Sequence, residues 1–220
     1  MRFLHNLFGS KKPALDSLIF DSTGWLLRDH STNHRAWEHP SAPAVLSVHF
    51  FALPPDLPRG LDLTNLRQQY RNSLIQNAGG LIEVSRGQVE ALPLIRTLFK
   101  LPQSPSGMGY IGALTLPFRE YSYVVKVQAQ EDGMTGQRES VVAEKLFQTG
   151  TLHLTNEGFA SWAADPYQPN FTAGALMNQS EQAAYDALFP EHPLTLVRQT
   201  LDWLETSLRL KTVLLNTPRF

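Results

Sequence analysis

The chain has 220 residues, of which 42% are hydrophobic and 18% charged, a composition typical of a globular protein with a sizeable core. Its 19 basic and 20 acidic residues leave a net charge of -1, and this neutrality argues against nucleic acid as a partner, because a nucleic-acid binder needs a basic excess to replace phosphate counterions. The absence of cysteine excludes disulfides, thiolate metal sites and a cysteine nucleophile. No run approaches the roughly 20 apolar residues of a membrane span, so we expect a cytoplasmic protein with no transmembrane segment.

The N-terminal part contains short elements separated by prolines. Four apolar residues among the first eight fall on one helical face, which predicts a short helix within residues 1–12 that packs on the body or anchors the chain to a membrane or partner. The segment from Leu18 to Leu27 predicts one or two strands with a tight turn, and the apolar run from Ala44 to Leu53 predicts another strand.

A helix and two strands follow. Asp62 is a suitable cap, apolar residues recur at three- and four-residue steps, and Gly79 ends the pattern, so the sequence predicts a helix from Asp62 to Ala78. Beyond it, residues 81–86 and 94–101 predict two strands.

The clearest pattern lies in residues 108–130. The runs Met108–Leu116 and Tyr121–Gln130 are separated by four turn residues and predict a β-hairpin. In the second run the odd-numbered residues are apolar, and the even-numbered ones are polar apart from Val124. This alternation predicts a strand with one buried and one solvated face, which is typical of an antiparallel sheet.

The last third is predicted to be helical on either side of an irregular stretch, residues 151–179. Before that stretch, Thr135 or Gly136 caps a helix that runs to Phe147. After it, a short helix is predicted over residues 180–189.

A longer C-terminal helix is predicted to follow, with His192 at its cap and Pro193 in its first turn. Apolar residues then recur along one face of this helix as far as Leu208. The short and the long helix together predict a helical hairpin.

These elements predict an α+β fold: an antiparallel β-sheet of five to seven strands flanked by helices in an α/β/α sandwich-like arrangement, with a C-terminal helical extension. We expect residues 1–150 to form the main domain, including the short N-terminal helix. Residues 151–220, the irregular segment and the helical hairpin, are expected to pack on it as one folding unit.

The order of these elements resembles the PsbP-like fold group. The residues that carry the resemblance are Gly109-Tyr110-Ile111-Gly112, the Tyr121–Ala129 strand and Thr135-Gly136-Gln137-Arg138-Glu139. The resemblance implies an antiparallel sheet flanked by helices that binds protein partners rather than performing catalysis. The run Tyr185-Asp186 to Leu194, followed by Arg198, is also similar to a segment of uncharacterised bacterial proteins, and this similarity implies no activity.

A metal site is one alternative that the residues leave open. If residues 31–38 were helical, His30 and His34 would share a face, with Glu38 one turn further on and His39 beside it, a set that could hold zinc in a hydrolase. The segment lacks helical apolar periodicity, and Pro40 follows it. The sequence therefore favours a solvated loop here.

Other catalytic motifs are not supported. No serine lies in a Gly-x-Ser-x-Gly elbow. The glycines of residues 107–112 have the spacing of a dinucleotide-binding loop, but a strand follows them where a helix N-terminus would be needed. We interpret them as small residues that permit close approach of strands, and we expect no cofactor.

The leading hypothesis is a non-enzymatic bacterial protein-binding module, such as a chaperone, an adaptor or an immunity-type protein. A metal-dependent hydrolase using residues 30–39 and a binder of small apolar ligands remain alternatives. We expect a protein partner of unknown identity and leave a homodimer open. The candidate partner-binding residues lie in polar or boundary contexts: Trp37, Arg138, Glu139, Trp162 and Tyr167.

Overall fold

The computed structural model describes residues 12–156 and 158–220. The helix predicted within residues 1–12 therefore lies outside the described residues, apart from Lys12. The strands are β1 (Leu18–Ile19), β2 (Leu26–His30), β3 (His34–Glu38), β4 (Ala44–Phe51), β5 (Gly80–Val89), β6 (Leu92–Pro102), β7 (Met108–Pro117), β8 (Ser122–Gln130), β9 (His153–Thr155), β10 (Gly158–Ala160), β11 (Ala163–Ala164), β12 (Met177–Asn178) and β13 (Arg209–Leu210). The helices are α1 (Leu63–Ile75), α2 (Gln137–Gln148), α3 (Pro193–Ser207) and α4 (Thr212–Leu215).

A seven-stranded antiparallel sheet forms the centre of the molecule, with the strand order β2-β3-β4-β8-β7-β6-β5. The predicted α+β fold with an antiparallel sheet is confirmed. The alternation in β8 has the predicted consequence: Tyr123, Val125 and Val127 are fully buried, whereas Lys126 and Gln128 on the opposite face are half-buried.

Helix α3 covers the face of the sheet to which Tyr123, Val125 and Val127 point. Its predicted apolar stripe is completely buried, and the helix packs on β7 and β8. A Cβ atom at Gly112 of β7 would lie 2.6 Å from Val197 Cγ1, so this glycine permits the close approach of α3 rather than of another strand. Residues beyond 150 thus belong to the same hydrophobic core as the sheet.

Helix α1 packs on the opposite face, beside β5. Asp62 caps it as predicted, accepting hydrogen bonds from the backbone N–H groups of Thr64 and Asn65. Leu66 of α1 belongs to a second, smaller hydrophobic cluster with Leu81 and other residues of β5 and β6. Because helices cover both faces, the arrangement is sandwich-like.

Three expectations about secondary structure were wrong in detail. The segment around His30 to Glu38 is not a loop, because β2 and β3 form a hairpin there. Residues 180–189 form 3₁₀ turns instead of an α-helix. The C-terminal part is consequently one long helix, α3, followed by the short α4, rather than a hairpin of two α-helices.

Hydrogen bonds from two arginine side chains to the backbone explain why residues 180–189 form 3₁₀ turns. The backbone carbonyl oxygens of Ser180 and Gln182 accept hydrogen bonds from Arg138, and that of Glu181 accepts from Arg198. These carbonyls point at arginine side chains instead of at the amides four residues ahead, so a regular α-helix does not form. Within the part of the chain that is described, no helix is both long and apolar enough to cross a membrane.

Candidate functional site

The candidate site lies at one end of the sheet, where β4 and β7 begin and β8 ends. A turn of residues 131–136 leads from β8 into α2, and the corner of residues 189–192 leads into α3. Gly136, which precedes α2, has φ +73°, a left-handed conformation that favours glycine. Together, the turn and the corner bring side chains from distant parts of the chain next to one another.

Glu131 fixes the turn through its carboxylate. Its Oε2 accepts a hydrogen bond of 2.8 Å from the Met108 backbone N–H, and its Oε1 accepts one of 3.0 Å from Gly136 N–H. Burial alone would raise the pKa of Glu131, but His192 and these N–H donors outweigh burial and hold the pKa below its ordinary value. The carboxylate is therefore ionised at neutral pH although its side chain is only 6% exposed.

His192 caps α3 as predicted. Its Nδ1 accepts a hydrogen bond of 3.2 Å from Leu194 N–H, and Pro193 in the first turn needs no N–H partner. A ring that accepts at Nδ1 carries its proton on Nε2. Nε2 lies 3.6 Å from Glu131 Oε1, beyond hydrogen-bond distance, and has no hydrogen-bond partner among the described residues.

Glu139 completes the cluster from the first turn of α2, where a carboxylate interacts favourably with the helix dipole. Its Oε2 is buried and likewise lacks a hydrogen-bond partner within the described chain. One side-chain ligand atom from each of Glu131, Glu139 and His192 lies within 4.8 Å of the other two. We call these three residues the carboxylate–histidine cluster.

Next to the cluster, Arg138 is fully buried and donates four hydrogen bonds. It donates to Asp186 Oδ1 at 2.8 Å, to Thr195 Oγ1 at 3.0 Å and to two backbone carbonyls. Arg198 donates to the same Asp186 at 2.9 Å. Asp186 thus balances two arginines, and neither arginine forms an ion pair with Glu131 or Glu139.

A second ion pair lies deeper in the core. Lys100 Nζ lies 2.7 Å from Glu181 Oε2, and both side chains are at most 3% exposed. The Tyr110 hydroxyl donates to Glu181 Oε1 at 3.3 Å. Burial, followed by the charge of Glu181, raises the pKa of Tyr110 far above its ordinary value, so this phenol stays neutral and remains a donor.

An open cavity of about 480 Å³ leads from the surface to the cluster. Its walls are polar and apolar in equal measure, and its rim includes Met134 and Leu188, which are 79% and 56% exposed. Asp132 and Glu191 add acidic groups near the mouth. The cavity therefore combines exposed apolar side chains with negative charge.

The structure brings only two of the candidate partner-binding residues together, Arg138 and Glu139. Arg138 was considered as an exposed contact for a partner, and this was wrong, because its guanidinium is buried against Asp186. Trp37 is buried in β3 with its ring 5.3 Å from that of Phe20. A partner-binding role for Glu139 stays a prediction.

Trp162 and Tyr167 lie elsewhere. Trp162 is half-buried, and its carbonyl accepts from Gln179 N–H. Tyr167 accepts a hydrogen bond of 2.9 Å from Val84 N–H, and the Arg67 guanidinium lies 3.6 Å from the centre of its ring. Tyr167 thus covers the β5 edge of the sheet, and its role as a partner contact stays a prediction, as does that of Trp162.

The arrangement assumed for a metal site at residues 30–39 does not form. In the hairpin His30 pairs with Arg35, while His34 pairs with His49, so the first two histidines point to opposite faces of the sheet. His39 Nδ1 instead accepts from the backbone N–H groups of Ser41 and Ala42.

Sequence reasoning missed Glu131 and His192 as members of one cluster. His192 was assigned only the local role of a helix cap, and Glu131 was not considered as a site residue. Asp186, His192 and Arg198 all lie in the run similar to uncharacterised bacterial proteins, which was the available signal. The pairing of residues more than 60 positions apart depends on how α3 is placed on the sheet.

Comparisons with known proteins bear on the fold alone. No family model matches the chain, and no curated protein does. Among solved structures, cyanobacterial PsbP from Synechocystis is 13% identical with a TM-score of 0.36, over 66% of this chain and 86% of that one. The Ran-binding protein Mog1p of Saccharomyces cerevisiae is 7% identical with a TM-score of 0.35, over 59% and 78%.

A Bacteroides thetaiotaomicron protein is 8% identical with a TM-score of 0.34, and the match spans 55% of this chain but only 41% of that protein. PsbP, which gives its name to the fold group that the sequence resembles, is among these structures. The low identities transfer no site residue.

Proposed function

We propose that this protein is a non-enzymatic protein-binding module, acting in a bacterial cytoplasm as an adaptor, chaperone or immunity-type inhibitor. The observation that carries the proposal is the cavity of about 480 Å³ with Met134 and Leu188 exposed at its rim. Exposed apolar side chains around a concave site, bordered by polar groups, are typical of a surface that another protein covers.

The charges around the cavity indicate the chemistry of the partner. Glu131, Asp132 and Glu191 line it, and the one arginine or lysine in the lining, Arg138, donates four hydrogen bonds to acceptors of this protein. The cavity therefore favours a partner segment that presents an apolar side chain next to a lysine or arginine.

The open edge of the sheet is a less suitable binding surface. β2 is exposed throughout, but it has only five residues, a register shift between Leu27 and Asp29 and three charged or titratable side chains. Short, bulged and charged edges are features that prevent strand addition. The proposal therefore assigns binding to the cavity.

Site-specific crosslinking in the native host tests this proposal. A photo-crosslinking residue at Leu188 should capture a defined protein, whereas the same residue at Leu53, which is 69% exposed and follows the far end of β4, should not. The captured protein is then purified and its Kd measured against wild type, Leu188→Asp and the control Leu53→Asp.

We expect Leu188→Asp to weaken binding by about tenfold or more, since a large apolar side chain covered by a partner contributes roughly 2 kcal/mol, with Leu53→Asp unchanged. Asp132→Lys should also weaken it, whereas Glu120→Lys at the other end of the β7–β8 hairpin should not. Equal affinities for all variants would contradict the proposal, as would crosslinks from Leu188 to a second copy of this chain alone.

A further inference from the structure

Buried carboxylates elsewhere in the described chain are matched by cations. Asp165 forms two hydrogen bonds with Arg71, Glu181 pairs with Lys100, and Asp186 lies between two arginines. This is the normal requirement, because an unpaired buried charge is very costly.

The carboxylate–histidine cluster departs from this pattern. Among the described residues, neither Glu131 nor Glu139 forms an ion pair with a lysine or arginine, and the nearest candidate cation is His192. In its capping role the ring accepts the Leu194 N–H at Nδ1. The cluster thus places two carboxylates around one imidazole, with no lysine or arginine paired to either carboxylate among the described residues.

Two atoms in the cluster also lack a partner. Nε2 of His192, whose side chain is only 9% exposed, and Oε2 of Glu139 are buried without a hydrogen bond among the described residues. Both belong to residues of the carboxylate–histidine cluster, in which one ligand atom from each residue lies within 4.8 Å of the other two. Buried polar atoms are nearly always satisfied, so these two indicate a bound group.

We infer that Glu131, Glu139 and His192 bind a divalent transition-metal ion. An imidazole with two carboxylates is a ligand set that zinc accepts, and a catalytic or exchangeable site leaves a fourth position for water or another ligand. Two of the three ligands, Glu131 and His192, line the cavity. The ion adds positive charge between the two carboxylates.

The atoms need modest movement to reach bonding distances. Ligands at 2.0–2.2 Å from zinc in tetrahedral geometry lie roughly 3.4 Å apart, and those in the cluster lie within 4.8 Å of one another. Glu139 is half-buried at the start of α2, and its side chain has the freedom to close the gap by rotation. Glu131 is held by two backbone N–H groups and provides the fixed ligand.

To bind the metal, His192 must give up its capping hydrogen bond at the start of α3. A metal at Nε2 requires a lone pair there, so the ring proton moves through solvent from Nε2 to Nδ1 and the hydrogen bond from Leu194 N–H is lost. Metal binding therefore competes with the capping of α3. The site is expected to be occupied reversibly, and its occupancy changes the start of the helix that lines the cavity.

The test uses the purified full-length protein after chelator treatment, titrated with Zn²⁺ by calorimetry. The variants are Glu139→Gln, which removes the charge of one ligand, and His192→Asn, which removes the imidazole but keeps a good N-cap. Glu144→Gln on the exposed side of α2 is the matched control. Thermal unfolding of every metal-free variant verifies that it is folded.

We expect one zinc ion per chain, a higher Tm with zinc, a loss of affinity of about tenfold or more in Glu139→Gln and His192→Asn, and no change in Glu144→Gln. The inference is overturned if folded wild type binds no zinc, or if both ligand variants bind it as wild type does. It is also overturned if His34→Asn abolishes binding while His192→Asn does not. Because no partner protein is used, failure here leaves the proposed partner-binding function untouched.

Discussion

Two buried acidic sites in this molecule differ in how their charge is balanced. At the β5 side of the sheet, Asp165 accepts hydrogen bonds of 2.7 and 2.6 Å from Arg71 and further ones from the backbone N–H groups of Tyr167 and Gln168. At the end of the sheet, Glu131 and Glu139 converge on the imidazole of His192. The first site is matched by an arginine, whereas no lysine or arginine pairs with the two carboxylates of the second among the described residues.

This difference separates charge that stabilises the fold from charge that is available to a ligand. Arg71 and Asp165 connect α1 to the segment before β12, and each satisfies the other. In the carboxylate–histidine cluster, Glu131 fixes a turn and His192 caps a helix, so both residues stabilise the fold. Nε2 of His192 and Oε2 of Glu139 nevertheless have no hydrogen-bond partner among the described residues. The predictions below test this contrast, beginning with the largest effect.

Removing Arg71, the cation that pairs with Asp165, should have the largest effect on the free energy of unfolding. Arg71→Met leaves Asp165 as a buried, unpaired charge and should lower the free energy of unfolding by about 3–5 kcal/mol, measured by urea denaturation. Arg28→Met breaks a pair with Glu38 whose side chains are 57% and 49% exposed, so it should cost at most about 1 kcal/mol. Similar decreases in the free energy of unfolding for Arg71→Met and Arg28→Met would contradict the structural importance of the buried Arg71–Asp165 pair.

The same pair predicts a dependence of stability on pH. Burial raises the pKa of Asp165, but Arg71 and the backbone donors outweigh it and lower the pKa below 3.8. The unfolded chain therefore binds a proton first as the pH falls, so this stabilisation is complete above about pH 4 and is lost as the pH drops through the folded-state pKa. In the double variant Arg71→Met, Asp165→Leu, the free energy of unfolding from urea denaturation should depend less on pH between pH 2 and 5 than it does in wild type. An unchanged slope would contradict the lowered pKa of Asp165.

The fold was largely predictable because its signals are local. The alternation in Tyr121–Gln130 and the capped, amphipathic segments after Asp62 and His192 follow from periods of two and 3.6 residues. The β2–β3 hairpin was missed because its residues are mostly exposed and carry no apolar alternation. The 3₁₀ turns were missed because Arg138, more than 40 residues away, determines where their carbonyl groups point.

The site was much less predictable for the same reason. His192 was correctly assigned as a cap from the adjacent Pro193, but no local pattern relates it to Glu131 or Glu139. Their convergence depends on the packing of α3 against β7 and β8, including the space that Gly112 leaves for Val197. Long-range placement of this kind is not contained in sequence periodicity.

The capping role of His192 predicts a smaller effect. His192→Ala removes the acceptor for Leu194 N–H and should lower the free energy of unfolding of the metal-free protein by about 1 kcal/mol, whereas His192→Asn should lower it by only a few tenths. Urea denaturation of both variants measures the difference. If the two variants were equally stable, the hydrogen bond to Nδ1 would not contribute to α3.

The smallest predicted effect has the opposite sign. Glu139→Gln removes one of two facing carboxylates, so in metal-free protein it should leave the free energy of unfolding unchanged or raise it by about 0.5 kcal/mol. With saturating zinc, the same variant should be less stable than wild type, because it binds the ion more weakly. A clear destabilisation without metal would mean that the charge of Glu139 is already balanced within the chain.

The central claim is that the carboxylate–histidine cluster accepts a metal ion. Anomalous diffraction at the zinc edge from crystals grown with Zn²⁺ tests it most directly. The account predicts a peak about 2.0–2.2 Å from Glu131, Glu139 and His192 Nε2, with the hydrogen bond from Leu194 N–H to Nδ1 broken. A zinc-saturated crystal with no peak in the cluster, and with Nδ1 still accepting from Leu194, would contradict it.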